Sequence, residues 1–586
     1  MSLKDVTPNK RKQSLNLKSF FSIRGLYLLL FIAILIYYYL FLPPIHYASL
    51  EFWFFAFLIV AGCFVIELIK DSSQMISDLR KDPNQAVQGK LGPAVKKYRY
   101  FLFPVIGIVG IGLISHLIFS PLFMAKSYGS MIEPVTEDFK TDFPEVEIDQ
   151  VPLVDRDTAQ RLGNRHLGSL TDLVSQFEAS LEYTQINIKA APYRVTPLKY
   201  AGLFKWLNNF SQGIPHYLKV DNVTGKVEVM TPEKPIKYSY SDHFGRYISR
   251  HLRFNYPFTM FGRPSFEVDD EGVPYYIATT YGRNFFIREP EPTGLITVNA
   301  MTGDHQYYDL KNIPKWVDRV YSAELIMHQL DQNGQYKKGF WNALFAKEGV
   351  TETSEGYNYL PMNDDLYLYT GITSVVSDES NIGFVLVNLR TKEATVYPLS
   401  AAEEFSAMSS AEGSVQEKGY KATFPMLINL QGRPMYILTL KDSAGLIKSY
   451  SLVDVQDFQK VYIANSIAQL IQAYGEDNPI AVEAIAEESL EKITGKVDQV
   501  QAVVEDGQSV YYFMVDGQVY QVPVVLNQYL PFVEAGQEIK LKIDENSKVH
   551  SIDLSQVFGP EASGKAPQIP VDDKDPLIDQ MNQVEK

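Results

Sequence analysis

Three long apolar stretches within the first 125 residues constrain this chain more than any other feature. They comprise residues 26–42, 52–69 and 101–124, and the second contains one charged side chain, Glu67. A helix needs roughly 17–25 apolar residues to cross the hydrocarbon core of a bilayer, so each stretch is long enough. The small-residue cleavage motif of a signal peptide does not follow Leu42. The sequence therefore predicts three retained transmembrane helices.

The basic residues around these stretches predict their direction. Lys and Arg are frequent in the tail at 1–25 and in the loop at 70–100, whereas residues 43–51 contain neither. Basic loops remain in the cytoplasm. We therefore expect a multi-pass protein of the cell membrane with a cytoplasmic N-terminus and with residues from about 126 onward outside the cytoplasm.

The overall charge and the cysteine content exclude several classes of protein. Of 54 Lys+Arg and 69 Asp+Glu, residues 1–125 carry 13 and 6, which leaves 41 and 63 for the remainder. An acidic domain is not expected to bind nucleic acid, because phosphates select basic surfaces. The single cysteine, Cys63, excludes an intramolecular disulfide and a multi-thiolate metal site. A large extracytoplasmic domain without disulfides favours a Gram-positive source.

Beyond the apolar stretches, composition divides the chain into five segments. Residues 130–210 begin as an acidic, proline-punctuated stalk and continue as a mixed helical segment, and Val-, Ile- and Tyr-rich strands follow at 211–460. Residues 461–490 are expected to form a helical connector and 556–586 a disordered tail. About five short strands at 491–555 predict a small OB-like barrel, which lacks the basic groove of a single-strand binder.

Two short signatures recur in the strand-rich region. Gly-x-Pro-x-Tyr occurs at 213–217, 272–276 and 432–436. Val-Asp/Asn-x-x-Thr-Gly/Lys begins at Val220, Val298 and Val387, with a looser copy at Val453. The second signature predicts a strand that ends in an Asx turn, with glycine at the position of positive φ. Recurrence at intervals of roughly 65–90 residues predicts three or four related αβ or β-meander modules.

These signatures resemble the PepSY-type module of bacterial membrane and secreted proteins, with the best match at Gly272–Leu310. Whole blocks between residues 150 and 470 are similar to a family of large Gram-positive membrane proteins with such extracytoplasmic modules. The resemblance implies a repeated αβ fold and an association with protease inhibition or regulation near the cell surface. It supplies no catalytic residues.

A basic and aromatic cluster is the candidate ligand-binding site. It comprises Arg246, Arg250, His251, Arg253 and Arg263. In one helix, Arg246, Arg250 and Arg253 would share a face. That face could hold the phosphate or carboxylate of an anionic wall polymer or lipid headgroup. The alternative is that these arginines pair with nearby carboxylates.

Within the third apolar stretch, His116 is a polar group at membrane depth, which is a functional hypothesis by default. Its alternative is a neutral imidazole bonded to a neighbouring helix.

Catalytic motifs are missing from the sequence. It contains no His-Glu-x-x-His, Gly-x-Ser-x-Gly, Walker or dinucleotide fingerprint, so we predict no catalytic residue, no metal and no cofactor. Ser409, Ser410 and Glu412 could form a nucleophile and base, yet the segment offers no group to orient them. A packed helix rich in small residues is the alternative.

Together these patterns predict a membrane-anchored α+β protein with three transmembrane helices, an extracytoplasmic domain of PepSY-like modules and a C-terminal OB-like β-barrel. We expect a non-enzymatic binding or scaffold protein of the cell envelope. Its expected partners are the lipid bilayer and either envelope proteins or anionic wall polymers. Two alternatives remain: a cell-envelope hydrolase or protease regulator, and an accessory subunit of a transport or secretion complex.

Overall fold

The computed structural model describes most of the chain. It covers residues 22–81, 91–144, 151–169, 171–362, 364–375, 377–430, 432–477, 491–505, 508–527, 529–543 and 549–559. Most of the predicted basic tail, part of the 70–100 loop, the end of the 461–490 connector and the C-terminal tail from residue 560 lie outside these ranges.

Four helices open the described chain: α1 (Ile23–Phe41), α2 (Leu50–Lys81), α3 (Leu91–Ile118) and α4 (Pro121–Gly129). Helix α1 and residues 50–74 of α2 are long and apolar enough to cross a membrane. The third predicted span is bent by 59° between α3 and α4, where Pro121 begins the new helix. The described chain therefore has two helices that are long and apolar enough to span a membrane, or three if the bent pair is one span. This arrangement fits a membrane protein with a large domain outside the bilayer.

Residues 156–464 fold into four successive copies of one module, numbered 1 to 4 here. Each has a helix followed by five strands, lettered a to e. Strands c, d and e form an antiparallel meander. Strands a and b both pair with c, a with its C-terminal half and b with its N-terminal half. The predicted repetition of related modules is therefore visible in the strand topology.

The bounds of these elements follow from the chain order. Two short elements come first, β1 (Val135–Thr136) and α5 (Phe139–Asp142). Module 1 contains α6 (Arg156–Gly168), α7 (Thr171–Val174), β2 (Phe177–Ala179), β3 (Thr184–Ile188), β4 (Ala191–Tyr200), α8 (Leu203–Asn209), β5 (Tyr217–Asp221) and β6 (Val227–Met230). Module 2 contains a 3₁₀ turn (Phe244–Arg246), α9 (Ile248–Asn255), β7 (Met260–Phe261), β8 (Ser265–Val268), β9 (Pro274–Asn284), β10 (Glu289–Asn299) and β11 (His305–Asp309).

The other two modules follow the same plan. Module 3 contains α10 (Ala323–Tyr336), a π turn (Asn342–Ala346), β12 (Thr351–Thr353), β13 (Asn358–Met362), β14 (Asp365–Ser374), β15 (Ser377–Asn388) and β16 (Ala394–Ala402). Module 4 contains α11 (Glu404–Gly413), a 3₁₀ turn (Gln416–Lys418), β17 (Lys421–Ala422), β18 (Met426–Leu430), β19 (Arg433–Lys441), β20 (Ile447–Asp454) and β21 (Val461–Ala464).

The predicted Asx turns are confirmed at the end of strand d in all four modules. In each, one Oδ1 accepts two backbone N–H bonds of 2.8–3.1 Å, and the accepting residues are Asp221, Asn299, Asn388 and Asp454. A residue with positive φ follows in three of these turns: Gly225, Gly303 and Lys392. Lysine thus takes the position that glycine holds in modules 1 and 2.

The Gly-x-Pro-x-Tyr signature is not in register across the modules. Gly272 and Gly432 precede strand c of modules 2 and 4, whereas Gly213 precedes strand d of module 1. Module 1 differs because α8 is inserted between its strands c and d.

The central strands of module 2, β9 and β10, are buried on both faces of the sheet. Tyr276 and Ala278 pack into a core shared with module 1, whereas Ile277 between them packs into a core shared with module 3. Successive side chains of a strand point to opposite faces, so this near-continuous apolar run suits a sheet between two layers.

The segment after α4 packs against the domain instead of extending as a stalk. Strand β1 pairs in parallel with β16, with Val135 opposite Thr395 and Thr136 opposite Val396. Phe139 and Phe143 are buried. The chain leaving the helices therefore adds a sixth strand to the sheet of module 3.

The described residues from 471 onward belong to a separate compact unit. Helix α12 (Ile467–Asp477) leads into it. Its sheet contains β22 (Glu491–Glu505), β23 (Gln508–Val515), β24 (Gln518–Pro523), β25 (Glu538–Ile543) and β26 (Val549–Asp553), in the order β24-β23-β22-β25-β26. A short helix, α13 (Ser555–Phe558), follows. The long β22 pairs with β25 through its first part and with β23 through the rest, which curls the sheet around a core that includes Phe513.

Loss of an Asx acceptor should loosen its hairpin selectively. We expect Asp221→Ala to weaken the β5–β6 turn by about 1 kcal/mol, because two backbone N–H groups lose their acceptor. Amide exchange across residues 217–230 should then accelerate roughly fivefold. Asp221→Asn keeps the acceptor oxygen and should exchange like the wild type. Equal exchange in both variants would show that the turn does not need this oxygen.

Candidate functional site

The carboxyl end of α1 is capped by two arginines of module 2. Arg250 Nε donates to the Tyr39 carbonyl at 3.2 Å, and its guanidinium lies 3.9 Å from the centre of the Tyr39 ring. Arg253 Nε donates to the Leu42 carbonyl at 3.0 Å. Helix α1 has no basic residue in its own last turn. The last carbonyls of a helix lack intrahelical partners and favour a nearby cation. Module 2 therefore supplies, through Arg250 and Arg253, the cations that α1 lacks in its own last turn.

Arg253 is the more deeply placed of the two, with 5 % of its surface exposed. Its Nη1 also donates to the carbonyls of Tyr256 and Thr259, at 3.3 and 2.6 Å. Burial lowers the pKa of Arg253 to about 10, so the side chain remains charged at neutral pH. Three carbonyl oxygens stabilise this buried charge, which makes Arg253 costly to replace.

A second contact joins the tip of the β9–β10 hairpin to the end of α3. Arg288 Nη1 donates to the carbonyl oxygen and to Nδ1 of His116, both at 2.9 Å. Because a guanidinium only donates, Nδ1 of His116 is the acceptor in this hydrogen bond. The Phe286 ring stacks on Phe119 beside this contact. His116 thus lies in the last turn of α3 and is held by the domain.

The first residues of β10 continue this contact into module 3. Glu289 Oε2 lies 3.0 Å from His328 Nε2 on α10, and Glu291 accepts from Gln329 and from Lys392 Nζ at 3.0 and 2.6 Å. The hydrogen bond with Glu289 raises the pKa of His328, and the same bond lowers the pKa of Glu289. Arg288 and the first residues of β10 therefore link α3, α10 and the strand d–e turn of module 3.

A cavity of about 580 Å³ lies at this junction, between the loop that joins α1 to α2 and modules 2 and 3. Its lining mixes apolar groups with charges of both signs, and the charged members are Glu51, Arg253, Arg283, Glu324 and His328. Such a wall suits a small zwitterionic or amphiphilic group.

The two serine hydroxyls at the junction for which bonds are described lie at the starts of helices α2 and α10. Ser49 Oγ donates to Glu51, and Ser322 Oγ accepts from the Leu325 N–H at the start of α10. Within the described part of the chain, no group of three His, Cys, Asp or Glu could hold a metal ion.

The structure divides the predicted basic cluster. The 3₁₀ turn that holds Arg246 is separated from α9 at Tyr247, whose ψ is 115°, so the single helix expected to align Arg246, Arg250 and Arg253 is interrupted. Arg246 Nη1 donates to the Phe210 carbonyl at 2.5 Å. His251 Nε2 donates to the Gly303 carbonyl at 2.8 Å. Arg250 and Arg253 alone of this set contact α1 among the described bonds, and the ligand-binding role stays a prediction.

Two other candidates have structural partners as well. Arg263 pairs with Glu182 and lies over the Tyr240 ring. Glu412 accepts from Lys421 Nζ and the Ala422 N–H, at 2.7 and 3.0 Å. Neither described bond of the Glu412 carboxylate involves Ser409 or Ser410.

Sequence reasoning missed Arg283, Arg288, Glu289 and His328. A signal was present, since Phe285-Phe286 lies between two arginines within a strand-rich segment. Aromatic residues flanked by cations are typical of groups at a membrane surface.

Replacing Arg253 should loosen the junction. We expect Arg253→Met to destabilise it locally by about 2 kcal/mol, because three carbonyls lose their donor, and amide exchange at residues 38–45 should rise roughly 30-fold. Arg246→Met is the matched control, since this half-buried arginine bonds to one carbonyl outside the junction. Equal effects of the two variants would contradict the capping role.

The His328–Glu289 pair should make stability depend on pH. The raised pKa of His328 means that its contribution is complete below about 6.5 and is lost as pH rises through the higher native pKa. The difference in Tm between wild type and His328→Leu should therefore shrink from pH 6 to pH 9. His216 is the opposite control, because burial lowers its pKa and its own contribution grows with pH. A constant difference for His328→Leu would rule out the charged pair.

Two comparisons with known proteins gave no match. No protein-family model matches the chain, and a search of curated proteins finds no match either. A functional proposal therefore rests on the contacts that the described residues make at the junction and along the sheet edges.

Proposed function

We propose that this chain is a non-enzymatic binding or scaffold protein of the cell envelope, anchored by its apolar helices with the β-rich domain outside the cytoplasm. The basic residues at 1–25 and 70–100 support this orientation. The proposal includes PepSY-like modules at 156–464 and an OB-like unit at 491–555. The segment most similar to a PepSY module, residues 272–310, comprises strands c, d and e of module 2.

The observation that carries the proposal is the added strand of module 3. There the outer edge of strand e is covered by β1, which pairs with it in parallel. Among the described residues, strand e is the last strand of its sheet in modules 1, 2 and 4. An uncovered edge presents backbone N–H and C=O groups to an extended peptide. The chain thus shows in module 3 how a segment docks on this edge, and offers the same edge three more times.

Strand β11 of module 2 is the best candidate among these edges. Four of its five residues are exposed, and Tyr307 is 42 % exposed. We assign it the binding of an extended segment of another envelope protein, with main-chain hydrogen bonds for affinity and side-chain contacts for specificity.

The two alternative functions have less support. A hydrolase site at 403–416 would need a base near Ser409 or Ser410, and the carboxylate of Glu412 is bonded to Lys421 and Ala422. A transport role for His116 would need it free within the membrane, and it is bonded to Arg288.

Photo-crosslinking in the native membrane tests the proposal. A benzophenone amino acid at Tyr307 should form a discrete adduct with an envelope protein, and digestion should locate the crosslink within an extended segment of that partner. The same group at Tyr308, which packs against the core between modules 2 and 3, is the control and should give no such adduct. Adducts at neither site, or only with a second copy of this chain, would contradict the proposal.

A further inference from the structure

Large apolar side chains are exposed on the domain beside both contacts with the membrane helices. Patch 1 comprises Leu203, Phe204, Leu207, Phe244, Phe254 and Phe258. Patch 2 comprises Phe286, Trp341, Leu344 and Phe345 of the domain, together with Leu122 and Phe123 of α4. Phe204 is 79 % and Phe345 is 71 % exposed. Contiguous apolar surface of this kind is unusual on a protein face that meets only water.

Patch 1 is continuous with the end of α1. The Phe254 ring lies 6.0 Å from Tyr38 and 6.4 Å from Tyr39. Arg250, which caps α1, also donates to the Phe244 carbonyl at 2.8 Å. The Phe244 ring in turn contacts Trp206 of α8.

Helix α8 is held so that its apolar side faces outward. Trp206 is buried, and its Nε1 donates to Asp242 at 3.2 Å, which fixes the inner face of the helix. Leu203, Phe204 and Leu207 are then left on the outside. The buried Trp206 therefore holds α8 in an orientation that leaves three large apolar side chains facing away from the domain core.

Patch 2 is continuous with the end of α3. Phe286 stacks on Phe119, and Tyr128 of α4 contacts the rings of Phe285 and Tyr336. Helix α4 lies close to the end of α10, since a Cβ on Gly129 would meet the backbone of Lys337 at 2.8 Å. The π turn that carries Leu344 and Phe345 follows directly.

Lysine side chains flank patch 2, which is typical of protein segments at a membrane surface. Lys337 and Lys338 precede the aromatic turn, Lys347 follows it, and all three are exposed. Aromatic rings with neighbouring lysines suit the headgroup region, where rings reach the acyl chains and ammonium groups stay in water.

We propose that the β-rich domain itself enters the interface of the membrane that its helices cross, with patches 1 and 2 immersed among the lipids on either side of the helix ends. The occupant of both patches is lipid, because each patch is continuous with a helix end that lies in the bilayer. The domain is then fixed against the membrane surface and does not swing on a flexible linker.

Site-directed spin labelling of the full chain in lipid nanodiscs tests this inference. In a Cys63→Ala background, a nitroxide is attached at Phe204→Cys or Phe345→Cys, with Phe458→Cys in the strand d–e turn of module 4 as the exposed aromatic control. Oxygen partitions into lipid and a nickel chelate stays in water. The ratio of oxygen to nickel collisions should be roughly fivefold higher at 204 and 345 than at 458.

Two results would overturn the inference. Nickel collisions at 204 and 345 that equal those at 458 would place both patches in water, and shielding from both reagents would show that protein covers them. Each labelled variant should elute like the wild type in size-exclusion chromatography. If either fails, Leu207→Cys and Leu344→Cys replace it within the same patches.

Discussion

This architecture depends on one constraint: the last carbonyls of the apolar helices have no hydrogen-bond partner within their own helix. A helix that leaves the hydrocarbon region must satisfy its last C=O groups, and α1 has no basic residue in its last turn to do so. Arg250 and Arg253 supply the donors for α1 and Arg288 supplies one for α3. Because these side chains belong to helix α9 and to the β9–β10 turn of a packed module and not to a linker, capping the helices also fixes the position of module 2.

Module 2 can hold this position because its central strands, β9 and β10, are buried on both faces of the sheet. Tyr276 faces module 1 and Ile277 faces module 3, so a displacement of strand β9 would disturb two cores at once. The hairpin formed by β9 and β10 ends in Phe285 and Phe286, both with positive φ. Such backbone conformations persist only where surrounding contacts hold them, and here the rings of Tyr128 and Phe119 do so.

Local sequence patterns predicted those features of the fold that depend on interactions between residues close together in the chain. The Asx turns at Asp221, Asn299 and Asn388 involve groups two or three residues apart, so a single sequence contains the whole interaction. The roles of Arg250 and Arg253 were out of reach, because each bonds to a carbonyl 211 residues away. The bend at Pro121 interrupts an apolar run that composition alone treats as one span.

Departures from the repeat show where the copies have become specialised. Module 1 gains α8 between strands c and d, module 2 extends its hairpin tip to α3, and module 3 covers its strand e with β1. Two of these changes lie near the contacts with the apolar helices, and the third occupies a sheet edge. Because the shared core tolerates variation in turns and at edges, function can accumulate there without loss of the fold. The module is therefore best regarded as a scaffold whose connections and edges, not its conserved strand plan, determine what each copy contacts.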